Sequence, residues 1–374
     1  VCIEKISIVS KKLRGGLSVL LKGLKFVCLG AAGALFATSL YAESHDHGSH
    51  PKVGLEYRAG ISHDDGKLQE TTGVDASSST MISTDVVKLT AEGEAAEHVS
   101  YMFSYDALNS AVHLANARLQ LHDMLGLTIG RVKANQGGWH VKDFYGEYNA
   151  VEGNNAFGYG SQAMPFSTWS DSISLHVALA GELTVQLVDD VMCDGSSATC
   201  VYKNTTNKGP AATIEWMGNF AGWMPLVQLA SYDLNNSMAY SVGVKGGVAG
   251  LGLMLNYTAD NRKNNLTDET DAHSQIDVHV DYSLGSWQPW LAYHAYDNKQ
   301  GGTDVKANGA MTDMSDNISA ITLGVKCNAV GEGYVPYLAL VQSSGTWFKD
   351  GTGAVDSTET RSGMAIKAGV TGQF

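Results

Sequence analysis

Residues 276–282 read IDVHVDY. Ile276, Val278, Val280 and Tyr282 are apolar or aromatic, with a polar residue after each of the first three. A period of two places alternate side chains on opposite faces of an extended strand. The pattern returns in both directions along the chain. Leu251, Leu253, Leu255 and Tyr257 carry it, as do Ile173, Leu175, Val177 and Leu179. So do Val99, Tyr101, Phe103 and Tyr105, and Val53, Leu55, Tyr57, Ala59 and Ile61. From Lys52 to Phe374 it recurs in runs of roughly ten residues, with no convincing helical stretch.

Composition narrows the class. The chain has 374 residues, 44% of them apolar, and is rich in Gly (42) and poor in Pro (6). Charged residues make up 17%, against roughly 25% in soluble domains. Low charge with one apolar face per strand fits a barrel that shows lipid one face and water the other. A half-buried strand in a soluble sandwich alternates in the same way, so the connections must separate the two.

The alternation predicts sixteen strands, near 51–62, 80–92, 97–107, 112–122, 125–133, 171–181, 182–191, 208–218, 222–232, 237–247, 249–259, 273–283, 286–297, 316–328, 332–343 and 361–374. Joins at 93–96, 123–124, 181/182, 219–221, 248, 284–285 and 329–331 are short. They alternate with 63–79, 108–111, 134–170, 192–207, 233–236, 260–272, 298–315 and 344–360. Membrane barrels have an even strand number, short turns at one end and longer loops at the other. A sandwich has no reason to sort its loops by parity. The reading is therefore an all-β, transmembrane antiparallel barrel.

The start of the chain fits secretion. Lys5, Lys11, Lys12, Arg14, Lys22 and Lys25 precede an apolar run at 26–42, FVCLGAAGALFATSLYA. A basic segment, a short apolar one and a small residue form a secretory signal, so residues 1–42 are expected to be removed. Their loss leaves 19 Lys and Arg against 37 Asp and Glu, a formal −18. That acidity excludes a general nucleic-acid binder. In an oxidising compartment Cys193 and Cys200, with six residues between them, are expected to form a local disulfide. Cys327 is left over, on the lipid-facing parity of its strand.

A one-strand repeat marks equivalent positions. GWMPLVQLASYD (222–233) aligns with SWQPWLAYHAYD (286–297), and GYVPYLALVQSS (333–344) follows its first half. Trp223, Trp287 and Tyr334 would then sit in a periplasmic aromatic girdle, where amphipathic rings favour the lipid–water boundary. The chain ends GMAIKAGVTGQF, with alternate residues on one face and Phe374 last. In its terminal aromatic strand, its leader and its sixteen strands the chain resembles the Gram-negative outer-membrane general porins over residues 51–374. The resemblance implies an inward-folded third loop, a homotrimer, and recognition of Phe374 by the barrel-assembly machinery.

The candidate selectivity residues follow. The longest connection, 134–170, corresponds to that third loop. Trp139, Phe144, Tyr145 and Tyr148 could anchor it, and Asp143, Glu147 and Glu152 would give it an acidic face. Strand parity turns Arg58, Lys88, Arg118, Lys326 and Lys367 toward the lumen, since charge facing lipid costs roughly 2–4 kcal/mol at mid-depth. General porins set a basic ladder against acids of the third loop, and Arg58, Lys88 and Arg118 match it by strand and orientation.

Other chemistry is weaker. The lead-in 43–50, ESHDHGSH, offers His45, His47 and His50 but no closed metal motif. GRVKANQGG (130–138) lacks a phosphate-loop pattern. Ser174 and His176 share an inward face without an oriented acid, so a hydrolase reading ranks last. The function expected is a porin: passive diffusion of small hydrophilic solutes and ions through outer-membrane lipid, with no cofactor and no reaction. A channel selective for anions or sugars, or a surface receptor using 192–207, 298–315 and 344–360, is the alternative.

Overall fold

Sixteen strands close on themselves in the computed structural model, which describes residues 51–64, 79–108, 110–139, 142, 169–188, 211–231, 238–263, 270–305, 311–330, 334–349 and 357–373. In chain order they are β1 Lys52–Asp64, β2 Ser79–Ala96, β3 Val99–Asp106, β4 Ala111–His122, β5 Leu125–Lys133, β6 Trp169–Ala178, β7 Glu182–Val188 and β8 Ala211–Met217. The second half is β9 Met224–Ser231, β10 Met238–Val248, β11 Leu251–Lys263, β12 Thr270–Tyr282, β13 Trp287–Val305, β14 Met311–Cys327, β15 Val335–Lys349 and β16 Ser357–Gln373. Each strand pairs antiparallel with its sequence neighbours. The ring closes where β1 meets β16, with Tyr57 opposite Gly372 and Ile61 opposite Ala368. No sheet edge is left open.

The two faces are the reverse of a soluble protein's. Ile129, Ile173, Leu229, Leu255, Ile276, Leu323, Leu338 and Ile366 lie on the outside, 39% exposed or more. Adjacent residues in most of these patterns point in and are polar and buried: Thr128, Ser174, Gln228, Asn256, Asp277 and Thr322. An apolar belt around a polar interior is the arrangement that lipid outside and water inside would select.

The turns explain how the strands reverse so tightly. Three of them carry an Ala–Gly pair with positive φ at both residues: Ala180 and Gly181, Ala221 and Gly222, Ala249 and Gly250. Two successive left-handed residues suit the right-handed twist of a hairpin. At Gly222 a Cβ would meet nothing within 4 Å, so the positive φ alone disfavours a side chain there.

Several strands run further than the alternation predicts, and β13 to β16 show it clearly. β13 and β14 continue into the 298–315 connection, where Lys299 still pairs with Ser315 and Asp304 with Thr312. β15 and β16 continue into 344–360, as far as Lys349 opposite Ser357. The reason is physical: apolar alternation is an imprint of lipid on one face. Above the belt both faces meet water and the imprint fades, while backbone pairing continues.

The belt makes a direct prediction. Leu255→Arg, placing charge among the outward residues of β11, should cost about 2–4 kcal/mol near mid-depth, read from urea unfolding in lipid. A variant as stable as the parent would place Leu255 away from lipid.

Candidate functional site, the lumen

The third connection turns inward as soon as β5 ends. Residues 134–139 cross the lumenal face of β7 to β11, and side-chain amides of the wall hold their backbone. Asn135 N donates to Gln186 Oε1 of β7 at 3.0 Å, and Gly138 N donates to Gln228 Oε1 of β9 at 2.7 Å. Trp139 N donates to Asn256 Oδ1 of β11 at 2.9 Å, and Asn256 Nδ2 returns a bond to Gly137 O at 3.3 Å. A backbone segment withdrawn from water needs a partner for each peptide group. A Gln or Asn amide carries the same donor and acceptor as a peptide. Gly138 lies so close to Asn256 that a Cβ would collide with its amide, and its φ is +62°.

Side chains complete the attachment. The Trp139 ring is 2% exposed and packs on Leu226 and Met254, which explains two apolar residues on an inward face. Lys245 Nζ lies 4.3 Å from the centre of that ring. Lys142 Nζ reaches Glu215 Oε1 of β8 at 2.8 Å, and Lys133 Nζ donates to the carbonyl of Lys142 at 3.2 Å. None of Gln186, Glu215, Gln228 or Asn256 stood out in the sequence. Their signal was a long amide or acid at inward positions of successive strands, which only the register turns into a row.

The wall facing this segment holds the expected cations. Around a ring of sixteen, β1 lies opposite β9. Arg58 of β1 is 2% exposed, between Thr371 and Val86 on the flanking strands. Lys88 of β2 makes an ion pair with Glu56 at 3.0 Å and stands across from Asp106. Lys367 of β16 lies across from Ser62 and Ala339, and Lys326 of β14 has its Nζ 5.6 Å from the centre of the Trp290 ring. Arg118 is set apart. Through Ser100 it aligns with Glu94 on β2, further toward the short turns than Lys88, and it lies 3.7 Å from Glu182.

A second set of side chains lines β11 to β13. His273 Nδ1 bonds Asp260 Oδ1 at 2.6 Å, and His294 Nδ1 bonds Asp277 Oδ1 at 2.8 Å. His279 Nε2 lies 3.5 Å from Asp281. Asp277 also accepts from Gln275 and from Asn256, the residue that anchors the loop. His176 bonds Thr128 through Nε2 at 2.9 Å and Glu182 through Nδ1 at 3.0 Å. Those bonds occupy both ring nitrogens and aim neither at Ser174.

At the short-turn end Trp287 and Tyr334 stand outward, 54% and 45% exposed. Trp223 is half-buried, with its ring over Gly246. Phe220 and Tyr282 share that rim and are similarly exposed. Cys327 is a free thiol on the outward parity of β14. Asp143, Glu147, Glu152, Cys193, Cys200, Phe374 and the histidines His45, His47 and His50 lie outside the described residues. Among those described, no cluster of three or more His, Cys, Asp or Glu is placed to hold a metal ion.

No family model matches the sequence, and no curated protein matches it significantly. Solved structures do match. The anion-selective porin from Comamonas acidovorans superposes with a TM-score of 0.58 at 11% identity, over 88% of this chain and 100% of that one. The outer membrane channel DcaP of Acinetobacter baumannii gives 0.58 at 12% identity, over 87% and 99%. Salmonella typhi OmpF gives 0.55 at 13% identity, over 88% and 99%. The fold is that of the outer-membrane porins. Within this porin fold the loop attachment is open to test. Asn256→Ala deletes an acceptor and a donor, roughly 1 kcal/mol for each bond lost. Protease cleavage in 134–168 of the folded barrel should then speed up, and an unchanged rate would contradict the anchoring.

Proposed function

We propose that the chain is an outer-membrane porin, a water-filled channel through which small hydrophilic solutes and ions diffuse. The observation that carries this is the inward course of residues 134–139 across the polar lumen of a closed barrel. A segment so placed narrows the path, and it serves passage better than it serves a surface receptor. The arrangement calls for a channel rather than an enzyme.

The finer features follow from that reading. Residues 1–42 act as the secretory signal, 43–50 as a periplasmic lead-in, and Cys193 with Cys200 as a loop disulfide. The chain assembles as a homotrimer, and its last strand, ending in Phe374, addresses it to the barrel-assembly machinery. Trp223, Trp287 and Tyr334 belong to the periplasmic girdle. Arg58, Lys88, Lys326 and Lys367 form the basic side of the constriction, with Arg118 nearer the periplasmic exit. Asp143, Glu147 and Glu152 supply the acidic side from the third loop. Opposed charge in a narrow lumen is poorly screened and sets ion preference.

Planar-bilayer recording tests the proposal. The purified protein should give discrete, ohmic channels, and their absence across voltage and salt would reject the pore. Neutralising Arg58, Lys88 and Arg118 together should move the reversal potential toward cations, because three positive charges are removed while Glu56 and Glu182 remain. An unchanged potential would remove these residues from the path.

A further inference from the structure

The lead-in ESHDHGSH, residues 43–50, is a His-rich motif that the channel leaves without a role. It lies outside the described residues, but the point where it joins the barrel does not. β1 begins at Lys52, opposite Glu92 near the end of β2. Both side chains stand in water, 85% and 52% exposed. The reversal at Glu97 and His98 just beyond is one of the short turns. The lead-in therefore enters at the short-turn end, the periplasmic side in the reading above.

Within the precursor the segment holds no closed metal motif. Removal of residues 1–42 changes its chemistry. The new amino terminus is Glu43, and the third residue from it is His45. A free α-amine, the peptide nitrogens of Ser44 and His45, and Nδ1 of the His45 imidazole then follow one another along the chain. Folded round an ion, these four nitrogens close three fused chelate rings in one plane. Neither Ser44 nor His45 is a proline, so each peptide nitrogen has a proton to give up. The ion displaces those two protons and takes the lone pairs of the neutral amine and the imidazole.

The geometry selects the metal. Square-planar nitrogen suits Cu(II) best, with Ni(II) next in affinity. Zn(II) prefers a tetrahedron, and Ca(II) and Mg(II) prefer oxygen.

We propose that the mature amino terminus, Glu43-Ser44-His45, is a square-planar copper(II) site at the periplasmic end of the barrel. The inference rests on the reading that the leader ends at Ala42. It differs from a loose cluster of imidazoles in what it requires. The α-amine and the Ser44 nitrogen are ligands, while His47 and His50 are not. The register is strict, because one residue more or fewer before His45 breaks the chain of rings. Among the described residues no group of three or more His, Cys, Asp or Glu is placed to compete for the ion.

Copper titration of the mature protein decides the matter. The metal-free barrel is purified from membranes, its first residue is read by N-terminal sequencing, and Cu(II) is added in steps. The sequence should start at Glu43. The first equivalent of Cu(II) should give the electron paramagnetic resonance pattern of four equatorial nitrogens. S44P keeps every imidazole and carboxylate but has no proton to lose at that nitrogen, so it should lose the signal. H45Q should lose it too, and H47Q/H50Q should retain it. Acetylation of the terminal amine of the parent protein should abolish the signal without any substitution, which covers an S44P precursor that is not processed. A chain starting at Glu43 that gives no four-nitrogen signal, or one that survives S44P or acetylation, overturns the site and leaves the leader reading standing. A different first residue overturns both.

Discussion

A peptide group in hydrocarbon has no water to bond, and each one left unpaired costs several kcal/mol. The pairing of β1 with β16 removes the last unpaired edge, and the rest of the molecule depends on it. Once the ring is closed, every strand has a lipid face and a lumenal face. Charged side chains in the belt then have one place to go. The inward positions of Arg58, Lys88, Lys326 and Lys367, and of the Asp–His pairs, are consequences of that closure.

The same rule operates a second time inside the barrel. The third connection leaves water when it crosses the lumen, and its backbone must again be satisfied. Gln186, Gln228 and Asn256 do for the loop what a neighbouring strand does for a strand. Trp139 adds the apolar contact with Leu226 and Met254 that keeps the segment against the wall. The lumen thus has two unlike sides: one that bears the loop on its amides, and a facing one that carries Arg58, Lys88 and Lys367.

Much of this was legible in the sequence. Lipid imprints a period of two on every strand, so all sixteen could be found, and loop parity separated barrel from sandwich. Trp139 was recognisable as an anchor because a large ring in a long loop needs a place to bury. Other features were not legible, for two reasons. The imprint ends where lipid ends, so the upper reaches of β13 to β16 looked like loops. Parity also cannot be counted through a bulge, and the register shifts between Arg58 and Ala59 and between Ser104 and Tyr105. His113 falls at the second of these, and its pairing with Asp106 depends on that shift. The amide row and the Asp–His pairs join residues of different strands, and only register brings Asn256 beside Asp277 and His294.

The central claim is an open lumen narrowed by the third loop. Liposome swelling with sugars of graded size tests it most directly, because the sugars carry no charge and report width alone. The account predicts swelling that is rapid for the smallest sugars and falls steeply as the solute grows. No swelling with the smallest sugar, or a rate indifferent to size, would contradict it.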